Sequence, residues 1–287
     1  MEANTNLNDR RLADAWAEIN NFAVEGNPLE ADSYRLAFAD PEFMLRRETR
    51  GIRFQLELLK PDLDMAALGV EHTIVVYGSA RMLSPEDAEQ QLAAAEASGD
   101  AERIARGKLA VKNAHHYDQA RQFARIVAEF GKTCSDKERV YICTGGGPGI
   151  MEAANRGAHD AGALNVGLNI TLPHEQSGNK YISPELCFKF HYFALRKMHF
   201  LMRAKALVAF PGGFGTLDEL FEVLTLVQTG KAKALPIILF GSEFWKKLIN
   251  FEALVEQGTI SASDLKLFKY VDDPAEAWQL IKDFYRL

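Results

Sequence analysis

Between Ala206 and Leu224 the chain passes from an apolar, strand-like run (Ala206-Leu207-Val208-Ala209-Phe210) into an amphipathic, helix-like one (Leu220-Phe221-Glu222-Val223-Leu224). The link is Pro211-Gly212-Gly213-Phe214-Gly215-Thr216-Leu217-Asp218-Glu219. A glycine turn from strand to helix lets backbone N–H groups approach a ligand with no Cβ in the way. The helix start then adds free donors and the positive end of the dipole, a combination that favours phosphate. Glu219 runs against this. A carboxylate one turn inside an anion-binding helix start repels phosphate, unless its work lies with a neighbouring sugar.

The same alternation recurs along the chain. Strand-like runs are read at Thr73 to Tyr77, Arg139 to Cys143, Asn165 to Ile170, Ala206 to Phe210 and Pro236 to Phe240. Helical spacing is read at Ser84 to Phe130, Gly149 to Ala161, Tyr192 to Ala204 and Leu217 to Gln228. Ser84-Pro85-Glu86-Asp87 is a cap-and-start signal, and the charged stretch Ala93 to Gly107 reads as a helical excursion off the core. Continuous apolar strands separated by helices predict a parallel sheet covered on both faces, doubly wound in the Rossmann manner, with ligands at the carboxyl ends of the strands. Before Thr73 the pattern is helical only, at Asp9 to Phe22, Ala31 to Ala39 and Pro41 to Leu59, with breaks at Asn27-Pro28 and Lys60-Pro61. The expected organisation is a helical extension over 1–70 and a nucleotide-binding domain over 71–287 that includes the excursion at 84–130. At 287 residues and 47% apolar content the chain can bury one large core.

Each candidate site has a purely local account beside the functional one. Thr144-Gly145-Gly146-Gly147-Pro148-Gly149-Ile150-Met151-Glu152 follows a strand and opens a helix, with Pro148 suited to the first helical turn. It could be a tight turn alone, although three consecutive glycines exceed what a turn requires. It is not a GxGxxG with a following acidic residue, so no dinucleotide fingerprint is read. Thr216 and Glu219 fit a capping box, which would explain both without a ligand but leaves Gly212, Gly213 and Gly215 unexplained. Ser79 can donate a hydroxyl and Arg81 can pair with an anion at the end of the first strand of the sheet, yet an arginine there is usually solvated. Phe193, Arg196, Lys197 and Phe200 share helical spacing, which snorkelling of the two cations would also satisfy.

Composition narrows the partners. A net charge of −6 argues against a broad nucleic-acid surface. Three cysteines without CxxC spacing suit a reducing compartment. Met1 to Asn6 carries no leader pattern, and no apolar run reaches the length of a membrane span, so the expectation is a cytoplasmic protein that binds neither membrane nor nucleic acid. His72, His115, His116, His159 and His174 lack metal-ligand spacing, and no metal is expected.

Taken together, Gly78-Ser79-Ala80-Arg81, Gly145 to Gly149, Arg196-Lys197 and Pro211-Gly212-Gly213-x-Gly215-Thr216-x-x-Glu219 resemble the LONELY GUY family of cytokinin riboside 5′-monophosphate phosphoribohydrolases, formerly labelled possible lysine decarboxylases. The likeness covers roughly residues 70–285. The N-terminal helices, the excursion and Glu152 are similar to the longer bacterial form. The resemblance implies hydrolysis of the N-glycosidic bond of a purine nucleoside 5′-monophosphate, with adenine or an N6-substituted adenine as base. It makes Arg196 and Glu219 the catalytic pair. It assigns the 5′-phosphate to Gly212, Gly213, Gly215 and Thr216, and the nucleotide pocket to Ser79, Arg81, Gly145, Gly146, Gly147, Gly149, Glu152 and Lys197. It further implies no cofactor, a homodimer or higher homo-oligomer, and an arginine that keeps Glu219 ionised beside the phosphate. The rivals are a non-catalytic nucleotide-binding or carrier protein of the same fold and a dinucleotide-dependent oxidoreductase.

Overall fold

The structure is a computed structural model that describes residues 33, 35–171 and 177–287. The helix expected at Asp9 to Phe22, part of that at Ala31 to Ala39, and His174 lie outside these residues. The chain divides into two units at Glu57/Leu58. In the first, Ala37–Ala39 forms a single 3-10 turn, and α1 (Pro41–Leu45) is capped by Asp40, whose carboxylate accepts from the N–H groups of Glu42 and Phe43. The continuous helix expected to Leu59 is interrupted here. The Thr49 hydroxyl, 2.9 Å from the Met44 carbonyl and 2.8 Å from that of Arg46, engages carbonyls at the end of α1, and a new helix starts at Arg50. That helix, α2 (Arg50–Ala67), runs through Pro61 rather than ending at it.

The larger unit is built on seven parallel strands. In chain order these are β1 (Thr73–Tyr77), β2 (Tyr141–Thr144), β3 (Asn165–Ile170), β4 (Cys187–Phe190), β5 (Ala204–Ala209), β6 (Ile237–Phe240) and β7 (Phe268–Val271). The helices that follow α2 are α3 (Pro85–Ser98), α4 (Ala101–Asn113), α5 (His115–Phe130), α6 (Ile150–Asp160), α7 (Phe193–Met202), α8 (Phe214–Gln228), α9 (Ser242–Leu248), α10 (Phe251–Glu256) and α11 (Pro274–Tyr285). The strand order β4-β3-β2-β1-β5-β6-β7 reverses direction between β1 and β5, which makes the sheet doubly wound.

Alternate residues of each strand feed two cores. Ile74 and Val76 of β1 join the face covered by α5, α6 and α11, whereas Val75 and Tyr77 join the face covered by α7, α8, α9 and α10. Because both faces are covered, Thr73–Tyr77 is buried throughout, and this is why it reads as an unbroken apolar run. Two strands escaped the sequence pattern. β4 alternates exposed and buried residues and β7 carries Lys269 outward; both lie at sheet edges, where one face or flank is wet. The helical stretch Ser84 to Phe130 resolves into three helices. The Ser84 hydroxyl accepts from the Asp87 N–H, and Gly99 in the left-handed region ends α3 before Asp100 caps α4. Gly107 then lies against the Leu92 backbone with no room for a Cβ, so α3 and α4 form a tight antiparallel hairpin. Pro148 lies just ahead of the helix rather than in its first turn, since Gly149 is the N-cap of α6.

Candidate active site

The ends of β1 and β5, neighbours at the reversal of the sheet, open onto a cavity of about 590 Å³. Its walls come from the loops that follow β1, β2 and β5 and from the helices α7 and α8. Ser79 and Arg81 reach it from the end of β1, Gly145 from the end of β2, Gly213, Gly215, Thr216 and Glu219 from the start of α8, and Arg196 from α7. The loops are tied to each other: the Ser79 N–H donates to the Pro211 carbonyl (3.0 Å) and the Ile150 N–H to the Ser79 carbonyl (3.1 Å).

Helix α8 begins three residues earlier than a capping box needs. Its N-cap is Gly213, with no side chain satisfying the first N–H groups; Thr216 is the third helical residue and Glu219 the sixth. The local account of Thr216 and Glu219 as reciprocal caps is therefore not what the structure contains. The helix start is left uncapped toward the cavity, with Gly213, Phe214 and Gly215 exposed. A Cβ at Gly213 or Gly215 would meet nothing within 4 Å, so packing does not call for glycine at either position. Gly212 differs: a Cβ there would collide with the Thr216 side chain, and it does not line the cavity.

The Gly145 to Gly149 loop is held mainly by the protein itself. The Thr144 hydroxyl accepts from the Gly146 N–H (2.9 Å) and donates to the Asn155 Oδ1 (2.7 Å). The Asn179 side-chain amide donates to that same Asn155 oxygen (2.9 Å) and to the Gly147 carbonyl (3.1 Å). Gly146 has φ +72° and backs onto Asn169, while Gly149, also at +72°, backs onto the Ser79 carbonyl. Only Gly145 of the loop lines the cavity. Glu152 is turned away as well, accepting a 2.8 Å hydrogen bond from the buried Tyr117 hydroxyl. The linked set of buried Asn155 and Asn165 with half-buried Asn179 went unread in the sequence. A single asparagine in a helix carries no such signal, although three of them flanking a glycine loop could have raised the question.

Glu219 is 7% exposed, and burial pushes its carboxyl from the ordinary 4.5 up to about 7, outweighing the opposing pull of Lys197 and then Arg196. Among the described residues the ion pair to Glu219 within 4 Å comes from Lys197 and not from Arg196. The Arg196 Nε donates to the Leu168 carbonyl (2.7 Å) and its Nη2 to that of Gly145 (3.4 Å), and its guanidinium stacks 5.0 Å from the Phe200 ring. Burial pulls its pKa down from the usual value. Lys197 does not line this cavity; its Nζ lies against Asp218 (2.8 Å) and Glu222 (2.7 Å), and 3.9 Å from Glu219. The expected balance, an arginine holding Glu219 ionised, is replaced by burial set against two cations. Tyr77, unremarked in the sequence, points its hydroxyl at Glu219 Oε2 at 3.5 Å. Burial first, and Glu219 second, raises the tyrosine pKa.

Among the described residues no His/Cys/Asp/Glu cluster is arranged to hold a metal, and no helix is long and apolar enough to cross a membrane. Fold and geometry together define the class: a Rossmann-type protein with an uncapped helix start and a buried carboxylate at the topological switch point of its sheet.

Relatives narrow that class. The family profile described as "Possible lysine decarboxylase" matches residues 151–281. A probable cytokinin riboside 5′-monophosphate phosphoribohydrolase of Oryza sativa subsp. japonica is 32% identical over 170 residues, covering 53% of this chain and 68% of that one. Another from the same plant is 28% identical over 157 residues, covering 54% and 67%. A cytokinin riboside 5′-monophosphate phosphoribohydrolase of Arabidopsis thaliana is 31% identical over 120 residues, 41% of this chain, and there the match spans only 54% of the relative. The chain belongs to this LONELY GUY family.

Proposed function

We propose that the protein hydrolyses the N-glycosidic bond of a purine nucleoside 5′-monophosphate, with adenine or an N6-substituted adenine as base, releasing the free base and ribose 5-phosphate. One observation carries this reading: a buried carboxylate, Glu219, shares a cavity with the uncapped, glycine-lined start of its own helix. The helix start suits the 5′-phosphate, and Gly213 and Gly215 leave it room to approach the backbone. Anchored there, the ribose lies within reach of a carboxylate five or six residues further along the helix.

As the C1′–N9 bond breaks, its electron pair leaves with the base and the sugar acquires oxocarbenium character, as in glycoside hydrolysis. Ionised Glu219 stabilises that charge and takes a proton from the attacking water, whose oxygen bonds to C1′; that proton passes on to the departing base, which leaves as the neutral purine and returns Glu219 to its ionised form. A carboxyl raised to about 7 is suited to that exchange at neutral pH. Arg196, fixed to the Leu168 and Gly145 carbonyls, borders the cavity as a pre-set cation.

Homo-oligomerisation is part of the same proposal. Phe214, 92% exposed, and Phe193, 52% exposed, stand at the cavity wall, where a second copy could cover them. A cytoplasmic setting suits the three free thiols. The test is release of free base from AMP, N6-substituted AMP, adenosine and other nucleoside monophosphates. Release that requires the 5′-phosphate supports the reading; tight nucleotide binding without release from any of them refutes it in favour of a binding protein.

A further inference from the structure

We propose that Lys197 is a positioning residue, a single ammonium that ties Asp218, Glu219 and Glu222 of α8 together and so fixes the Glu219 carboxylate for its reaction. In its kinetic half this rests on the hydrolase reading; in its electrostatic half it does not.

Three carboxylates occupy five consecutive positions of one helix, and one lysine serves them, at 2.8, 3.9 and 2.7 Å from Asp218, Glu219 and Glu222 respectively. Like charges three and four residues apart on a helix repel. The burden of that repulsion falls unequally. The Asp218 side chain is 62% exposed and that of Glu222 37%, so water screens them; the Glu219 side chain is 10% exposed. Without the ammonium, the buried member is the one that loses its charge. The other groups facing Glu219 do not replace it. Tyr77 on β1 offers a neutral hydroxyl at 3.5 Å, and the Arg196 guanidinium on α7 is committed to two backbone carbonyls.

Location separates this role from nucleotide binding. Lys197 lines a second cavity, of about 660 Å³, that meets the first at Tyr77, Phe200 and Glu219, and it is absent from the walls of the first. It thus reaches Glu219 from a side other than that of the glycine loops.

The experiment compares Lys197→Met, Lys197→Arg and Glu222→Gln in the full-length protein. Two readouts are used: the carboxyl titration of Glu219 by 13C NMR without nucleotide, and the pH dependence of base release from AMP. In Lys197→Met the Glu219 midpoint should rise by about one pH unit and the acid limb of the rate should follow, while KM for AMP changes less than about threefold. Lys197→Arg should restore both. Glu222→Gln, which removes one competitor for the lysine, should move the midpoint the other way.

A merely structural lysine would lower the rate at every pH and leave the midpoint in place. An unmoved titration in folded Lys197→Met overturns the proposal, as does a tenfold or larger rise in KM with a fixed limb (~1.4 kcal/mol of lost binding). If Lys197→Met does not fold, the downward shift in Glu222→Gln decides. Shifted titrations in a protein that hydrolyses no nucleotide would retain the clamp and remove only the hydrolase reading.

Discussion

Replacing Glu219 by Gln should trade catalysis for stability, and the size of the exchange follows from burial. The carboxyl titrates at about 7 instead of 4.5 because the helix start buries it among Tyr77, Phe200 and Thr216. With a folded-state pKa above the unfolded one, the protonated form is favoured by folding. That stabilisation is complete below pH 4.5 and is lost as the pH rises through 7. At about 1.4 kcal/mol per pH unit, ionised Glu219 costs the folded protein on the order of 3 kcal/mol above neutrality. Glutamine has nearly the same shape and never ionises. Lys197 is not stranded by the change, because Asp218 and Glu222 still hold it at 2.8 and 2.7 Å. The variant should therefore melt with the wild type near pH 4.5 and above it at pH 8.5, by roughly 5–10 °C for a chain of this size. Base release from AMP should fall about 10²- to 10⁴-fold while nucleotide binding persists. Paired thermal melts across pH 4.5 to 8.5 are the assay. A melting difference that does not change with pH would mean that burial is not what perturbs this carboxylate, and near-normal turnover would remove Glu219 from the reaction.

Three further outcomes are expected. Wild-type turnover should rise with pH through a midpoint near 7, the value at which Glu219 loses its proton; a flat profile from pH 5 to 8 would contradict its role as base. Arg196→Ala should reduce turnover and also cost about 1–3 kcal/mol in urea unfolding, since the Leu168 and Gly145 carbonyls lose their donor; unchanged stability would show that these bonds carry no weight. Gly149→Ala and Gly215→Ala should part company. The first forces a Cβ onto the Ser79 carbonyl at φ +72° and should destabilise by about 1–3 kcal/mol. The second meets open space and should keep its melting temperature while weakening binding of the monophosphate more than of the nucleoside, read by calorimetry.

What the sequence revealed and what it hid divide along physical lines. β1 and β5 were legible because both sheet faces are covered there, so every residue of Thr73–Tyr77 is apolar or buried. β4 and β7, short and at the edges, keep alternate residues wet and carry too little apolar periodicity to register. The glycine loops announced a site because glycine is conspicuous, but residue type does not say which way each one faces. Gly146 and Gly149 are set by Asn169 and the Ser79 carbonyl, whereas Gly213 and Gly215 face open space. The orientation of Lys197 was likewise hidden, since adjacent cations on a helix look alike until the fold supplies Leu168 for one and Asp218 for the other.

Tension between an acid and an anion-binding helix start remains the defining property of this corner. The first turn of α8 presents uncapped N–H groups, and the favourable field of a helix terminus decays within about one turn. Glu219, the sixth helical residue, lies beyond that turn, so little of the dipole's field supports its charge. Its neighbours supply the remainder: Lys197 from one side, Arg196 from another, both opposed by burial. A carboxylate so balanced sits where small changes in its surroundings move it between protonation states. Phosphate bound at the helix start adds negative charge to the same cavity and pushes the carboxyl further upward. Substrate should thus raise the apparent midpoint of kcat above that of kcat/KM. That order follows from an anion seated at the start of the helix that carries Glu219, and the reverse order would mean that the anion binds elsewhere.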